Sequence, residues 1–312
     1  NKCGDRDRKQ SPKDMKPNVG CDAFHEIRTN CGTYGLSSDE YERQILPHKL
    51  SLVMNRRPCI QMDNNDCLRL DPPKADYPRY SSRLTSFADL VNYDIKIPGE
   101  HTIDGETFDA EIQMLHVFPT ATRVSSIGVL VRARENGYNS EFQEIINEFQ
   151  NEYDNHASAC SARRRRRMRG KKLGDMHGIH GTPLEHSELD EISYNSTRYL
   201  RNGRFDPYSF ELMPTIFFYR YDGSITEPPC KDITWWVMTE PMIISHEQLN
   251  QIRRILFSHV DEECNPTSVH NVDQSVARPI YPRGTDRDIQ DCSRGAFKSD
   301  FEKHGTNSRK CQ

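Results

Sequence analysis

No apolar run in this 312-residue chain approaches the 18 to 20 residues of a membrane-spanning helix, so none is expected. Hydrophobic residues make up only 35% of the chain and the mean hydropathy is −0.83, which implies much polar loop draped over an ordinary core. An excess of positive charge is also missing. With 42 Lys and Arg against 46 Asp and Glu, the net charge of −4 gives no reason to expect nucleic acid as a partner. Ten cysteines are present, but none of their spacings forms the paired short clusters of a structural zinc site. Disulfides are the better reading, and with them the secretory route and an extracellular location. The first residue is Asn rather than Met, as expected of a processed or partial chain.

The length suits one large all-β domain or two small ones. Residues 1–80 are rich in Cys, Pro, Asn and Asp and read mainly as loops, interrupted by short apolar runs such as Leu50-Ser51-Leu52-Val53-Met54. Strands are predicted over 93–97, 108–118, 126–132, 215–219 and 233–238 from their β-branched and aromatic content. Phe142, Ile145, Ile146 and Phe149 have helical spacing and predict a helix over 141–153, and a second helix is predicted over 246–257 with Ser245 as its N-cap.

Three segments carry the chemistry. The first contains Tyr93-Asp94-Ile95-Lys96-Ile97-Pro98-Gly99-Glu100-His101 and the second Ala110-Glu111-Ile112-Gln113-Met114-Leu115-His116. The third is Gly223-Ser224-Ile225-Thr226-Glu227-Pro228-Pro229-Cys230, followed by Ile233-Thr234-Trp235-Trp236-Val237. Together, and in this order, they resemble the active-site blocks of the α-carbonic anhydrases. Gln10-Ser11-Pro12 and Arg278-Pro279-Ile280-Tyr281-Pro282 resemble the opening and closing motifs of the same family. The resemblance implies a mainly β fold, with a large central twisted, mostly antiparallel sheet, a few peripheral helices and long loops. It places one domain at 1–285, with a basic loop insertion at about 155–200, and a C-terminal extension at 286–312.

Family members read approximately F-H-F-H-T-P-S-E-H, then A-E-x-H-x-V-H, and three of those histidines bind zinc. On this chain the three ligand positions hold Asp94, Lys96 and Gln113, with Pro98, Glu100, His101, Glu111 and His116 fixing the alignment. A catalytic zinc needs three imidazole or carboxylate ligands and an open fourth position. Asp94 alone could serve, Gln113 offers a weak carbonyl oxygen, and the Lys96 ammonium repels a divalent cation. The reading is therefore that no metal or other cofactor is bound, and that Glu100, Thr226 and Glu111 are vestiges of the groups that once supported a zinc hydroxide. The resemblance lines the pocket with His101, His116, Leu115, Ile225 and Trp235. His101 and His116 read as buried, hydrogen-bonded histidines, with metal ligation as the minority alternative. Residues two apart on a strand share a face, so Asp94 and Lys96 are expected to pair, with Gln113 beside them. The alternative is a frayed strand end with both charges in water.

The extracellular-family pattern implies a disulfide between Cys3 and Cys230, and the other eight cysteines stay unassigned. Asn195-Ser196-Thr197 is an N-glycosylation acceptor. The run from Arg163 to Lys172 repels itself and is expected to be an exposed loop: a solvated connection, a polyanion site, or a cleavage site. Three functions follow. The first is a catalytically silent domain acting in a protein partnership or larger extracellular assembly. The second is an active enzyme converting CO2 to bicarbonate at an altered zinc site, and the third is a pocket that binds a small anion at Lys96.

Overall fold

The computed structural model describes residues 10–21, 28–29, 40–55, 79–83, 86–117, 124–171, 206–270, 277–281 and 288–293. In chain order the strands are β1 (Asp14–Met15), β2 (Val19–Gly20), β3 (Arg28–Thr29), β4 (Tyr41–Leu46), β5 (Lys49–Met54), β6 (Arg79–Arg83), β7 (Ser86–Lys96), β8 (Thr102–Ile103), β9 (Ala110–Val117) and β10 (Val124–Ala133). Helix α1 (Ser140–Lys171) follows, then β11 (Phe218–Ser224), β12 (Asp232–Met238), β13 (Met242–Ile244), α2 (His246–Phe257) and β14 (Gln290–Cys292). Twelve strands form one sheet whose main order is β2-β14-β11-β12-β10-β9-β7-β5-β4. Most neighbours are antiparallel, but β10 runs parallel to β12 and β13, and β14 runs parallel to β2. The architecture is mainly β, as expected.

Strand alternation sorts side chains onto two faces. Tyr93, Ile95, Ile112, Met114, Val129, Val131 and Trp236 join one core cluster with the apolar stripes of both helices. Trp235, Val237, Leu130 and Tyr221 join a second cluster on the other face. The adjacent tryptophans therefore separate the two. A register shift between Leu90 and Asn92 changes which residues of β7 face the helices. Ala88 and Leu90 face them before the shift and Tyr93 and Ile95 after it, so Asp94 and Lys96 emerge on the opposite face.

Both helices begin where side chains satisfy their first amides. Ser245 and Gln248 form a reciprocal capping box on α2. The Asn139 side chain accepts from the Phe142 amide, and Gln248 bonds both backbone groups of Asn139, so the two helix starts are fastened together. Gly137 is required there, because a Cβ would lie 2.4 Å from the Ile244 carbonyl oxygen. Disulfides Cys21–Cys292 and Cys160–Cys264 join distant segments, two of the pairings that spacing alone left open.

Several expectations need correction. Among the described residues of 1–80, the short apolar runs are not loop, since β4 and β5 form a hairpin with Leu50, Leu52 and Met54 in the core. The alternation of Leu50, Leu52 and Met54 was enough to make a strand despite the polar setting. Helix α1 does not stop near 153 but runs to Lys171, so the basic run begins as helix rather than loop. No Gly or Pro interrupts Ser140 to Arg169, and Ala, Arg and Met are strong helix formers. The strand predicted over 215–219 forms at Phe218–Ser224. Strand β14 lies in the sheet past position 285, where the domain was expected to end. Cys3, Asn195 and Lys172 lie outside the described residues.

Candidate functional site

The three ligand positions converge on the sheet face opposite the helices. Asp94 and Lys96 sit on β7, and Gln113 pairs with Asp94 across the β7–β9 ladder. All three are buried. Asp94 and Lys96 do not pair with each other, which corrects the expectation drawn from their spacing. The Lys49 ammonium, on β5, donates to Asp94 Oδ2 at 2.9 Å, and the Ser51 hydroxyl donates to Asp94 Oδ1. Lys96 Nζ instead donates to Glu227, which also takes Lys49 at 3.0 Å and lies 3.2 Å from His48 Nε2. Two lysines and two carboxylates thus form a closed, neutral network. The spacing rule put Asp94 and Lys96 on one face correctly, but each found an opposite charge on another element.

The charges of this network reinforce one another. Burial opposes the Glu227 carboxylate, yet the nearby His48 imidazole and the charges of Lys96 and Lys49 hold it well below the usual carboxylate range. Burial likewise works against the Lys49 ammonium, and Asp94 and Glu227 more than offset it, so its pKa is raised.

Gln113 does not face Lys96 as an acceptor. Its amide donates to Glu100 Oε2 at 2.8 Å and to Glu111 Oε1 at 3.1 Å, while its carbonyl oxygen accepts from the Thr226 hydroxyl at 3.4 Å. Thr226 therefore reaches Glu100 only through Gln113, not directly. Glu111 also accepts the backbone amides of Glu100 and His101 and sits 2.7 Å from His101 Nδ1. Burial opposes its charge, but His101 and these donors bring Glu111 below its usual range. His101 Nε2 lies 2.6 Å from the Tyr221 hydroxyl, which is 2.8 Å from Ser11 Oγ, and Ser11 in turn accepts from the Ser224 amide. Gly223 makes this approach possible, since a Cβ there would stand 2.3 Å from Ser11 Oγ.

His101 stacks edge-on against Trp235 at 4.6 Å, and Leu115 and Ile225 pack in the same cluster. His116 does not belong with them. It faces the other side of the sheet, between the Met114 carbonyl and the Tyr208 hydroxyl, because it lies three residues from Gln113 on an alternating strand. Burial lowers its pKa to about 3, so it is neutral at physiological pH.

The sequence reading missed Lys49, Ser51, His48, Glu227 and Tyr221. Lys49 and Ser51 alternate with Leu50 and Leu52, and that period-two pattern places them on the site face. Glu227 stands within the quoted block, next to Thr226. Cys230 closes the block and is disulfide-bonded, with Arg278 Nη1 3.9 Å from its sulfur.

Comparison with known proteins bears on the fold and the sequence blocks. Residues 183–290 match the family model of the eukaryotic-type carbonic anhydrases. Carbonic anhydrase 7 of Mus musculus is 27% identical over 185 residues, covering 59% of this chain and 55% of that protein. The α-carbonic anhydrase of Photobacterium profundum aligns over 92% of this chain and 91% of its own, with a TM-score of 0.53 and 14% identity. In sequence and in fold, the chain is similar to the α-carbonic anhydrases. Dioscorin DB3L of Dioscorea polystachya is a further relative, 23% identical over 204 residues, or 64% of this chain and 54% of that one. The chain spans about half the length of these two curated relatives.

Zinc is the metal that the family implies, and the residues at its place do not fit it. Asp94 is already taken by Lys49 and Ser51, the Gln113 oxygen by Thr226, and Lys96 brings a cation where a cation would sit. Among the described residues, no group of three or more His, Cys, Asp or Glu side chains is placed to hold a metal ion.

Proposed function

We propose that this carbonic anhydrase-like domain has lost CO2 hydration and serves as a secreted interaction or assembly module. The observation that carries this reading is the Lys96 ammonium tied to Glu227 at a ligand position, within the network completed by Lys49 and Asp94. Hydration of CO2 in this family depends on a metal that lowers the pKa of bound water to near 7, and no side chain here supplies that effect. Glu100, Thr226 and Glu111 are structural in this reading: with Gln113 they hold the first two segments against the third.

An extracellular setting is supported by the two described disulfides and the bonded Cys230. We extend the proposal to a Cys3–Cys230 bond, glycosylation at Asn195, a protein partner, and polyanion contact along Arg163–Lys172. The test is a CO2 hydration assay on the purified protein with added zinc, beside an active family member. Turnover at background supports the proposal. Sulfonamide-sensitive turnover overturns it and establishes an altered metal site.

A further inference from the structure

Helix α1 continues past the elements it packs against. Along its middle, the Tyr153 hydroxyl meets Ser258, His156 meets His259, and Cys160 is buried in its bond to Cys264. The Arg163 guanidinium donates to the Glu262 carbonyl, and residues 164–171 carry the helix beyond that contact.

The described part of the helix marks its two sides. Asn151, Asp154, Asn155, Ser158 and Ala162 are exposed, whereas Cys160 is buried and Tyr153 and His156 are partly buried. Successive residues turn by about 100° around the axis. Extending the same register puts positions 165, 166 and 169 at least about 120° from Cys160, in line with the exposed set. Positions 163, 164, 167 and 171 fall within about 60° of Cys160, on the side of the loop that carries Asp261 and the exposed Glu262 and Glu263.

The run is dense in charge of one sign. Seven of the nine residues from Arg163 to Lys171 are basic, within about 12 Å of helix. Like charges recur three and four positions apart, where they repel, and a polyanion lying alongside relieves that repulsion. Six of the seven are arginines, whose planar forks bind oxyanions in pairs of hydrogen bonds. Met168 is the one apolar residue among the nine, so this stretch has no apolar face with which to enter a bilayer.

We propose that Arg165, Arg166 and Arg169 form a contact stripe for a single extended chain of sulfated polysaccharide. The choice of an extracellular polyanion rests on the secreted reading above. A single chain suits a stripe one helix side wide, while the acidic loop at 261–263 screens the basic positions on the inner side. A nucleic acid duplex, broader than the helix, would be brought against that loop and repelled by it.

The test is titration of the full chain with heparin at several salt concentrations. Two triple variants remove the same charge: Arg165→Gln/Arg166→Gln/Arg169→Gln on the outer side, and Arg163→Gln/Arg164→Gln/Arg167→Gln on the inner side. Glutamine keeps the helix propensity, and circular dichroism checks that the helix content is retained. The outer variant is expected to bind at least about tenfold more weakly, with the slope of log affinity against log salt reduced by about 2. The inner variant should lose no more than about threefold, with a slope change below about 1. Met168→Pro, which breaks the helix within the run and keeps every charge, should weaken binding by at least about threefold. Equal losses in the two triple variants, binding unchanged by Met168→Pro, or no heparin binding by wild type overturns the proposal. Tighter binding of duplex DNA or of anionic phospholipid vesicles than of heparin, at matched anion concentration, overturns it as well. None of these variants alters Asp94, Lys96 or Gln113, so heparin binding reports on the stripe alone and CO2 turnover on catalytic loss alone.

Discussion

Glu227 is the residue on which the charge network depends, and its removal is the most informative perturbation. Glu227→Ala takes the described acceptor from Lys96, whose side chain is 5% exposed, and one of two carboxylates from Lys49. Lys49 keeps Asp94, whereas Lys96 is left as a buried cation without a counter-charge. Removing one partner of a buried pair costs about 3–5 kcal/mol, and the 25% exposure of Glu227 places this case toward the lower end. Lys96→Met is expected to cost no more than about 1 kcal/mol, since methionine keeps the apolar stem and removes the burial cost of an ammonium. Glu227 then retains Lys49 and His48. The double variant should be more stable than Glu227→Ala alone, with a coupling energy of about 2 kcal/mol. Denaturant unfolding, followed by the fluorescence of buried Trp235 and Trp236 with disulfides intact, measures all three. The pH dependence has a definite sign. Because the folded carboxylate is held below its unfolded pKa of about 4.3, its contribution is complete at neutral pH and is lost as the pH falls through the folded value. The gap between wild type and Glu227→Ala should therefore narrow in acid. Costs within about 0.5 kcal/mol for both single variants, or zero coupling, would refute the network as drawn.

Other expectations follow from neighbouring contacts. Asp94→Ala should cost about 1–3 kcal/mol in the same unfolding assay, less than Glu227→Ala, because Lys49 retains Glu227. Gly223→Ala should destabilise by about 1–3 kcal/mol, as its Cβ would displace Ser11 and Tyr221 and break the chain to His101. The His116 ring signals in an NMR titration should not move between pH 8 and pH 5, given its folded pKa of about 3. A shift in that window would mean that the ring is not buried between Met114 and Tyr208. Non-reducing peptide mapping should recover Cys3 joined to Cys230, and either thiol free would contradict it.

The sheet and α2 were legible because their signals are local. The β-branched and aromatic content of 108–118 and 233–238, and Ser245 as an N-cap before 246–257, each specify an element without reference to the rest of the chain. The hairpin of β4 and β5 was hidden by a polar, cysteine-rich setting in which only Leu50, Leu52 and Met54 announce the core. At the site, the motif positions identified Asp94, Lys96 and Gln113, and spacing gave the face they share. Partner choice was not legible. Nothing local to Asp94 reveals that Lys49, 45 positions away, competes successfully with Lys96 two positions away. Strand pairing decides it: Ser51 lies opposite Asp94 in the β5–β7 ladder, which brings the start of β5 over the carboxylate. The placement of His116 was misread for a related reason, since motif membership says nothing about which side of a strand a residue occupies.

The bond from Cys21 to Cys292 spans 271 positions and draws the first part of the chain to the last, at the edge where β2 meets β14. Cys160–Cys264 makes a second closure inside it. Any single break in the backbone between Lys172 and Phe205 falls within both loops. A protease cutting there would yield two polypeptides that migrate as one species until a reductant is added. Limited proteolysis read on paired gels would then report covalent connectivity, and a maturation cut in the arginine-rich stretch would leave the mature molecule as a two-chain protein with its β-sheet assembled from both pieces.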